Sequence, residues 1–142
     1  MYSYLSNFHF KVEWGGNRTG FVEVTGLGMG LDVTPYREGT SMEFSAMLTP
    51  GQRQYSPVVL KRAMVAGDND FYTWIDTAQC GDVERRDVII SLLSSRHEPV
   101  MTWKLARAFP SRLDYAPLNA LGNDLAIESL TLVHEGLAVL KL

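Results

Sequence analysis

The chain has one cysteine, Cys80, among 142 residues. A lone thiol excludes an intrachain disulfide framework and cannot build a Cys-based zinc site by itself, and it suits assembly in a reducing cytoplasm. Basic runs are equally scarce. Lys61-Arg62 and Arg85-Arg86 are the adjacent basic pairs, and the net charge is −3, so a nucleic-acid-binding surface is not expected. No stretch approaches the roughly 18 consecutive apolar residues of a membrane-spanning helix. The opening MYSYLSNFHFKVEW has neither the basic segment nor the long apolar core of a secretory signal.

Catalytic arrangements are missing in the same way. No Gly-x-Ser-x-Gly elbow is present, and Cys80 sits beside nothing that would depress its pKa. His97-Glu98 and His134-Glu135 lack the second histidine one helical turn away that zincin chemistry needs. Gly26-Leu27-Gly28-Met29-Gly30 is glycine-rich, but a dinucleotide fingerprint requires a helix directly after the glycines, and Pro35 follows instead. Sixteen acidic residues always allow a carboxylate pair, yet nothing marks two of them out. No catalytic residue, metal site or cofactor is expected.

What the chain does have is strand-like alternation. Phe8, Phe10, Val12 and Trp14 fall on one face and His9, Lys11 and Glu13 on the other, the period of a half-buried strand. Gly15-Gly16-Asn17 reads as a turn, with Gly20–Thr25 returning as the second strand of a hairpin. Leu27, Met29, Leu31 and Val33 then share a face opposite mostly glycine. Thr34–Tyr55 is broken by Pro35, Gly39, Pro50 and Gly51 and reads as irregular. A strand resumes over Pro57–Val65. Asp68-Asn69-Asp70 then offers caps for one amphipathic helix, with Phe71, Trp74, Ile75 and Ala78 at helical spacing and Gly81 ending it. Arg86–Leu93, Val100–Ala108 and Ala126–His134 are further strands, with a short last one at Leu137–Leu140, and Pro110–Asp124 reads as a long surface connection. With no repeat or linker, residues 1–142 are expected to form a single domain. The expected fold is mainly β, a barrel or sandwich of antiparallel strands with one flanking α-helix.

The irregular region contains a conspicuous apolar segment, Met42–Leu48. Standing in water, Met42, Phe44, Met47 and Leu48 form a large apolar patch that marks an interaction surface; the alternative is that they fold back onto the domain's own core. Fully burying four such side chains yields about 6–12 kcal/mol, against an association cost of about 4–15 kcal/mol. One such contact barely breaks even, whereas many identical contacts made together by a pre-formed ring hold easily.

Several segments, in order, resemble one family. Phe8–Trp14 followed by Gly20–Leu27 resembles its opening hairpin and "EVSGL" stretch, and Tyr36-Arg37-Glu38-Gly39 its "YREG" element. Pro50-Gly51, Val59-Leu60-Lys61-Arg62, Phe71–Ile75, Glu84–Val88, Pro99–Lys104, Ala108-Phe109-Pro110, Ala126-Ile127-Glu128 and His134–Leu137 follow in family order. The chain resembles the inner tube proteins of contractile injection systems such as the antifeeding prophage, and more distantly T4-like phage tail tubes and type VI secretion tube rings. The resemblance implies a barrel-like subunit closing into hexameric rings that stack inside a contractile sheath and are driven into a target when the sheath contracts. It implies as partners other copies of the chain, the sheath protein, baseplate or hub and tube-terminator proteins, and cargo in the lumen. It also implies assembly in a bacterial cytoplasm, followed by service in an extracellular or membrane-anchored particle. Ala63 replaces an expected glycine, and Gly28–Gly30 is richer in glycine than the family's charged stretch, departures that fit a specialised ring near the baseplate.

On this reading Met42, Phe44, Met47 and Leu48 reach the next ring or neighbour, and Arg37 and Glu38 pair charges across that interface. As an ordinary surface pair, the same two charges would contribute only about 0–1 kcal/mol. Two rival functions remain: a tube-initiating baseplate protein of the same fold, and a small-ligand-binding β-barrel whose apolar loop is a lid.

Overall fold

A computed structural model describes residues 2–40 and 46–140. The strands are β1 (Phe10–Glu13), β2 (Glu23–Thr25), β3 (Met29–Tyr36), β4 (Met47–Tyr55), β5 (Val58–Ala63), β6 (Arg86–Leu93), β7 (Pro99–Tyr115), β8 (Ile127–Val133) and β9 (Gly136–Leu140). Helix α1 (Asp70–Asp76) and a 3₁₀ turn (Thr77–Cys80) separate β5 from β6. All strand pairs are antiparallel. The body is a seven-stranded sheet in the order β1-β6-β7-β8-β5-β2 with β9 also on β7, while β3 and β4 pair only with each other. The fold is therefore the expected mainly-β architecture with one helix.

β7 is the strand that joins the two halves of the body. Its first part pairs with β6 and β9, and from Phe109 onward it pairs with β8. Between them Arg107 adopts a left-handed φ of 51°, uncommon for a side-chain-bearing residue. The register slips at the same place, from Val88 opposite Leu105 to Arg86 opposite Ala108, as a bulge requires. The bend is held from outside. Arg107 N–H donates to Asp87 Oδ1 at 3.0 Å, Arg107 Nε lies 2.6 Å from Glu135 Oε2, and Glu135 N–H donates to the Ala106 carbonyl at 2.9 Å. The Arg107 N–H, with the nearby Lys104 ammonium and Arg107 charge, holds the Asp87 carboxyl below its ordinary value of 3.8.

The inner faces follow the period of two. Val58 and Leu60 on β5 and Leu130 and Leu132 on β8 are buried, as are Val88 and Ile90 on β6 and Leu105 on β7. Phe71 and Trp74, one face of α1, close one side of this core against Trp14, with ring centroids 5.0 and 5.9 Å from the Trp14 ring. The Trp14 and Trp74 indole N–H groups donate to the carbonyls of Arg18 and Glu84, so neither buried tryptophan leaves a donor unpaired. Gly81, at φ 97°, ends the helical segment.

Within this aromatic cluster lies a fully buried arginine. Arg62 Nε donates to Glu128 Oε1 at 2.5 Å, and its guanidinium carbon stands 3.8 Å from the centre of the Phe71 ring. Arg62 Nη2 lies 3.5 Å from Asp68 Oδ1, and Arg18 Nε lies 2.6 Å from Asp68 Oδ2. Charges thus alternate from Glu128 through Arg62 and Asp68 to Arg18, tying β8 and β5 to the start of α1 and to the β1–β2 connection. Nη1 of Arg62 has no acceptor among the described residues, and the guanidinium carbon stands over the Trp14 and Phe71 rings.

Two sequence expectations about the body change. The β1–β2 hairpin does not form: β1 pairs with β6, and β2 with β5. A tight turn would have placed β2 directly beside β1. Instead the Gly15–Gly20 connection buries Trp14 and carries Arg18 across to Asp68 and the Ala63 carbonyl. Pro110–Tyr115 is also strand, not loop. Its proline sits beside the bulge between Pro110 and Arg112, where a missing N–H costs little.

Trp74→Ala should lower the free energy of unfolding by about 3–5 kcal/mol, as for other buried aromatic truncations, read from chemical denaturation. Burial by itself raises the pKa of Asp68, but the Asp70 N–H, the Arg18 hydrogen bond and the Arg62 and Arg18 charges outweigh it, leaving the carboxyl below 3.8. A depressed carboxyl stabilises the fold fully above its unfolded pKa of about 3.9 and loses that contribution as pH falls through the folded value. Asp68→Asn should therefore be less stable than the parent at pH 7, with the gap narrowing below about pH 4 in acid melts.

Candidate assembly surface

β3 and β4 form an arm rather than the irregular region expected over Thr34–Tyr55. Cross-strand partners share a face of an antiparallel ribbon, so the register sorts the arm into two faces. Met29 with Tyr55, Leu31 with Arg53, Val33 with Pro50 and Pro35 with Leu48 make one face, apolar except for the arginine head. Gly30 with Gln54 and Thr34 with Thr49 make the other, polar face, which ends in Tyr36 and Met47. The stripe through Met29, Leu31 and Val33 follows the predicted alternation. A bulge lies between the Leu31 and Val33 pairs, leaving Asp32 opposite Gly51 and Gln52. A Cβ at Gly51 would stand 3.1 Å from that of Asp32. Both strands of a two-stranded ribbon are edges, and that position is where Pro35 and Pro50 are tolerated.

Among the described residues neither face has a partner in the body. Met29, Leu31, Val33 and Tyr36 are at least half exposed, Met47 is 69% exposed and Leu48 67%. Of the residues expected to carry assembly contacts, Met47 and Leu48 are thus brought opposite Tyr36 and Pro35 on exposed ribbon. Arg37 and Glu38 lie exposed just past the end of β3, where Glu38 Oε1 accepts a hydrogen bond from the Tyr36 hydroxyl at 3.1 Å. Met42 and Phe44 lie outside the described residues.

The arm's root, in contrast, is fixed. Gly26 turns the chain out of β2 at φ 90°, and a Cβ there would stand 2.0 Å from the Pro57 carbonyl oxygen, so only glycine fits. Ser56 N–H donates to the Gly28 carbonyl at 3.4 Å. His134, at the end of β8, places its two ring nitrogens 3.1 and 3.2 Å from the carbonyl oxygens of Gly136 and Ser56, with its ring 5.3 Å from that of Tyr55. His134 thereby joins the arm's root to β8 and β9.

Two more features of the surface bear on assembly. The connection after β7 carries Leu118, Leu121 and Leu125 at 89, 95 and 76% exposure; three leucines in a stretch otherwise made of breakers were the available signal. β1 and β2 end the body sheet, and β9 pairs only with β7 among the described residues, so β2 and β9 each present an open strand edge, while the outer edge of β1 is met by the connection that follows it, where Val12 N–H donates to the Thr19 carbonyl at 3.0 Å. An open recess of about 410 Å³ on the body is lined by Phe10, Val24, Leu27, Ile90, Leu92 and Trp103 among others, with no residue of the arm. Among the described residues no group of three or more His, Cys, Asp or Glu is placed to hold a metal, and no helix is long and apolar enough to cross a membrane.

An extended apolar arm on a rigid body with open edges is the anatomy of a part that assembles, and comparison with known proteins agrees. A chain in the structure of the anti-feeding prophage cap (AFP tube terminating cap) is 28% identical with a TM-score of 0.90, covering 100% of this chain and 94% of its own. One in the sheath–tube complex of an extracellular contractile injection system, PVC, in its extended state, is 29% identical at a TM-score of 0.88, covering 97% and 92%. Hcp1 from Flavobacterium johnsoniae shares the fold alone, at 9% identity and a TM-score of 0.55, covering 92% and 93%. No curated protein matches by sequence. The family model for the T4-like virus tail tube protein gp19 matches residues 6–138, so the chain belongs to that tail tube family, whose members are structural tube proteins.

Proposed function

We infer that this chain is an inner tube subunit of a contractile injection system, acting as one domain without catalytic activity. It closes into hexameric rings that stack into a rigid conduit. The unpartnered apolar face of the arm is the observation that carries this reading. A two-stranded ribbon is marginal in water on its own, and this one exposes Met29, Leu31, Val33 and Leu48 together. The open edges of β2 and β9 supply strand pairing between neighbours, and a head-to-tail contact of that kind closes a ring. The arm, with Met42, Phe44, Met47 and Leu48 and with Arg37 and Glu38 at its turn, makes the contact between subunits or rings.

The sheath–tube, cap and baseplate assemblies of the matched structures support a sheath, a terminator and a baseplate as partners. Assembly in a bacterial cytoplasm, then work in an extracellular particle with cargo in the lumen, fits the same relatives. A second reading, a ring that ends the tube, is favoured by the match to the anti-feeding prophage cap. Such a ring would not polymerise on itself.

In the analytical ultracentrifuge the parent protein should sediment as rings and stacks of rings. Leu31→Asp with Leu48→Asp should remove the larger species while the melting temperature moves by less than about 4 °C, because exposed positions contribute little to subunit stability. Unchanged sedimentation of this variant would count against the arm as the assembly surface. A parent that forms single rings at every concentration would favour the tube-ending role.

A further inference from the structure

We propose that the leucine-bearing connection between β7 and β8, residues 116–126, is the socket that receives the arm of a second copy in the next ring; this rests on the tube reading above. The connection is a formed platform. Ala116 N–H donates to the Ile127 carbonyl at 2.9 Å and Met64 N–H to the Ala126 carbonyl at 2.8 Å, which pins both ends to the body. Within it Gly122 N–H donates to the Asn119 carbonyl at 3.1 Å and Leu121 N–H to Asn119 Oδ1 at 3.0 Å. These bonds fix a turn that holds Leu121 outward at 95% exposure, and Leu118 and Leu125 line an open recess of about 690 Å³.

Register decides where the socket lies relative to the arm. β5 and β8 pair from Val58 opposite Leu132 to Ala63 opposite Ile127. The arm leaves and re-enters the body beside Val58, through Thr25 opposite Val59 and through Ser56 held by His134. The leucine connection leaves and re-enters beside Ala63, through Tyr115 opposite Glu128 and through Ala126 held by Met64. Arm root and socket therefore sit at opposite ends of the same strands, about 17 Å apart at 3.4 Å per residue. Subunits related head to tail along that direction bring the arm of one to the socket of the next. The same contact then repeats without end, as a stacked tube requires and a closed dimer does not.

The chemistry of the two surfaces matches. The arm brings Leu31, Val33 and Leu48 on one face, and the socket brings Leu118, Leu121 and Leu125. The one ionisable residue of the connection is Asp124, and the apolar face of the arm carries Arg53, with Arg37 nearer the tip. A sheath protein or a loop-to-loop contact between identical sockets would leave the arm's apolar face without a partner.

Two variants test this, a socket variant (Leu118→Ser, Leu121→Ser, Leu125→Ser) and an arm variant (Leu31→Ser, Val33→Ser, Leu48→Ser). All six positions are exposed, so both should fold, as circular dichroism and thermal melts will show. Under conditions where the parent stacks, each variant alone should stop at the unstacked unit. An equimolar mixture of the separately assembled variants should give pairs of twice the unit mass and nothing longer, because only one arm–socket contact can be made. Stacking by the socket variant alone, pairing by the arm variant alone, or an inert mixture would each overturn the proposal. The tube reading fails separately: a parent that forms open head-to-tail strings lost in the socket variant keeps the contact but not the ring. Rings that stack regardless of the leucines keep the ring but not the contact.

Discussion

A two-stranded ribbon has no core of its own, and its apolar side chains gain nothing until something covers them. β3 and β4 are bound by this constraint, since among the described residues the one strand each pairs with is the other, and one face is almost wholly apolar. The described residues of the single subunit leave the constraint unmet, and on the proposed assembly a second copy meets it. Much of the rest of the molecule then makes sense as what such an arm needs, namely a body stiff enough to aim it and edges able to place copies side by side.

The stiffness comes from charge buried among aromatic rings. Arg62 is closed in by Trp14 and Phe71 and neutralised by Glu128, with Asp68 and Arg18 completing the alternation. Buried ion pairs add little net stability over a hydrophobic replacement, but removing one member strands the other and costs about 3–5 kcal/mol. This network joins four separate parts of the chain in one geometry. The bent β7 adds a second restraint, because one continuous strand serves both halves of the body and Arg107 is held at its bend by Asp87 and Glu135. A tube pushed lengthwise gains from both.

The body was largely legible in the sequence, and the arm only in part. Val58–Ala63, Arg86–Leu93 and Ile127–Val133 alternate because one face of each is buried, and Phe71 with Trp74 announces the helix in the same way. Pro35, Pro50 and Gly51 read as breakers because local rules assume a strand inside a sheet, whereas a free ribbon tolerates them at its edges. The β1–β2 hairpin was misread because the link from Trp14 to Arg18 serves a tertiary network that no short window contains. Met47 and Leu48 were picked out by apolarity alone, and so could Leu118, Leu121 and Leu125 have been, had an apolar connection been weighed like an apolar loop.

The most direct test is electron microscopy of the purified parent protein at high concentration in negative stain. Six-fold rings, single or stacked into hollow tubes, are the predicted result. A uniform field of single subunits at every concentration would contradict the claim that the arm's apolar face is covered by other copies of the chain.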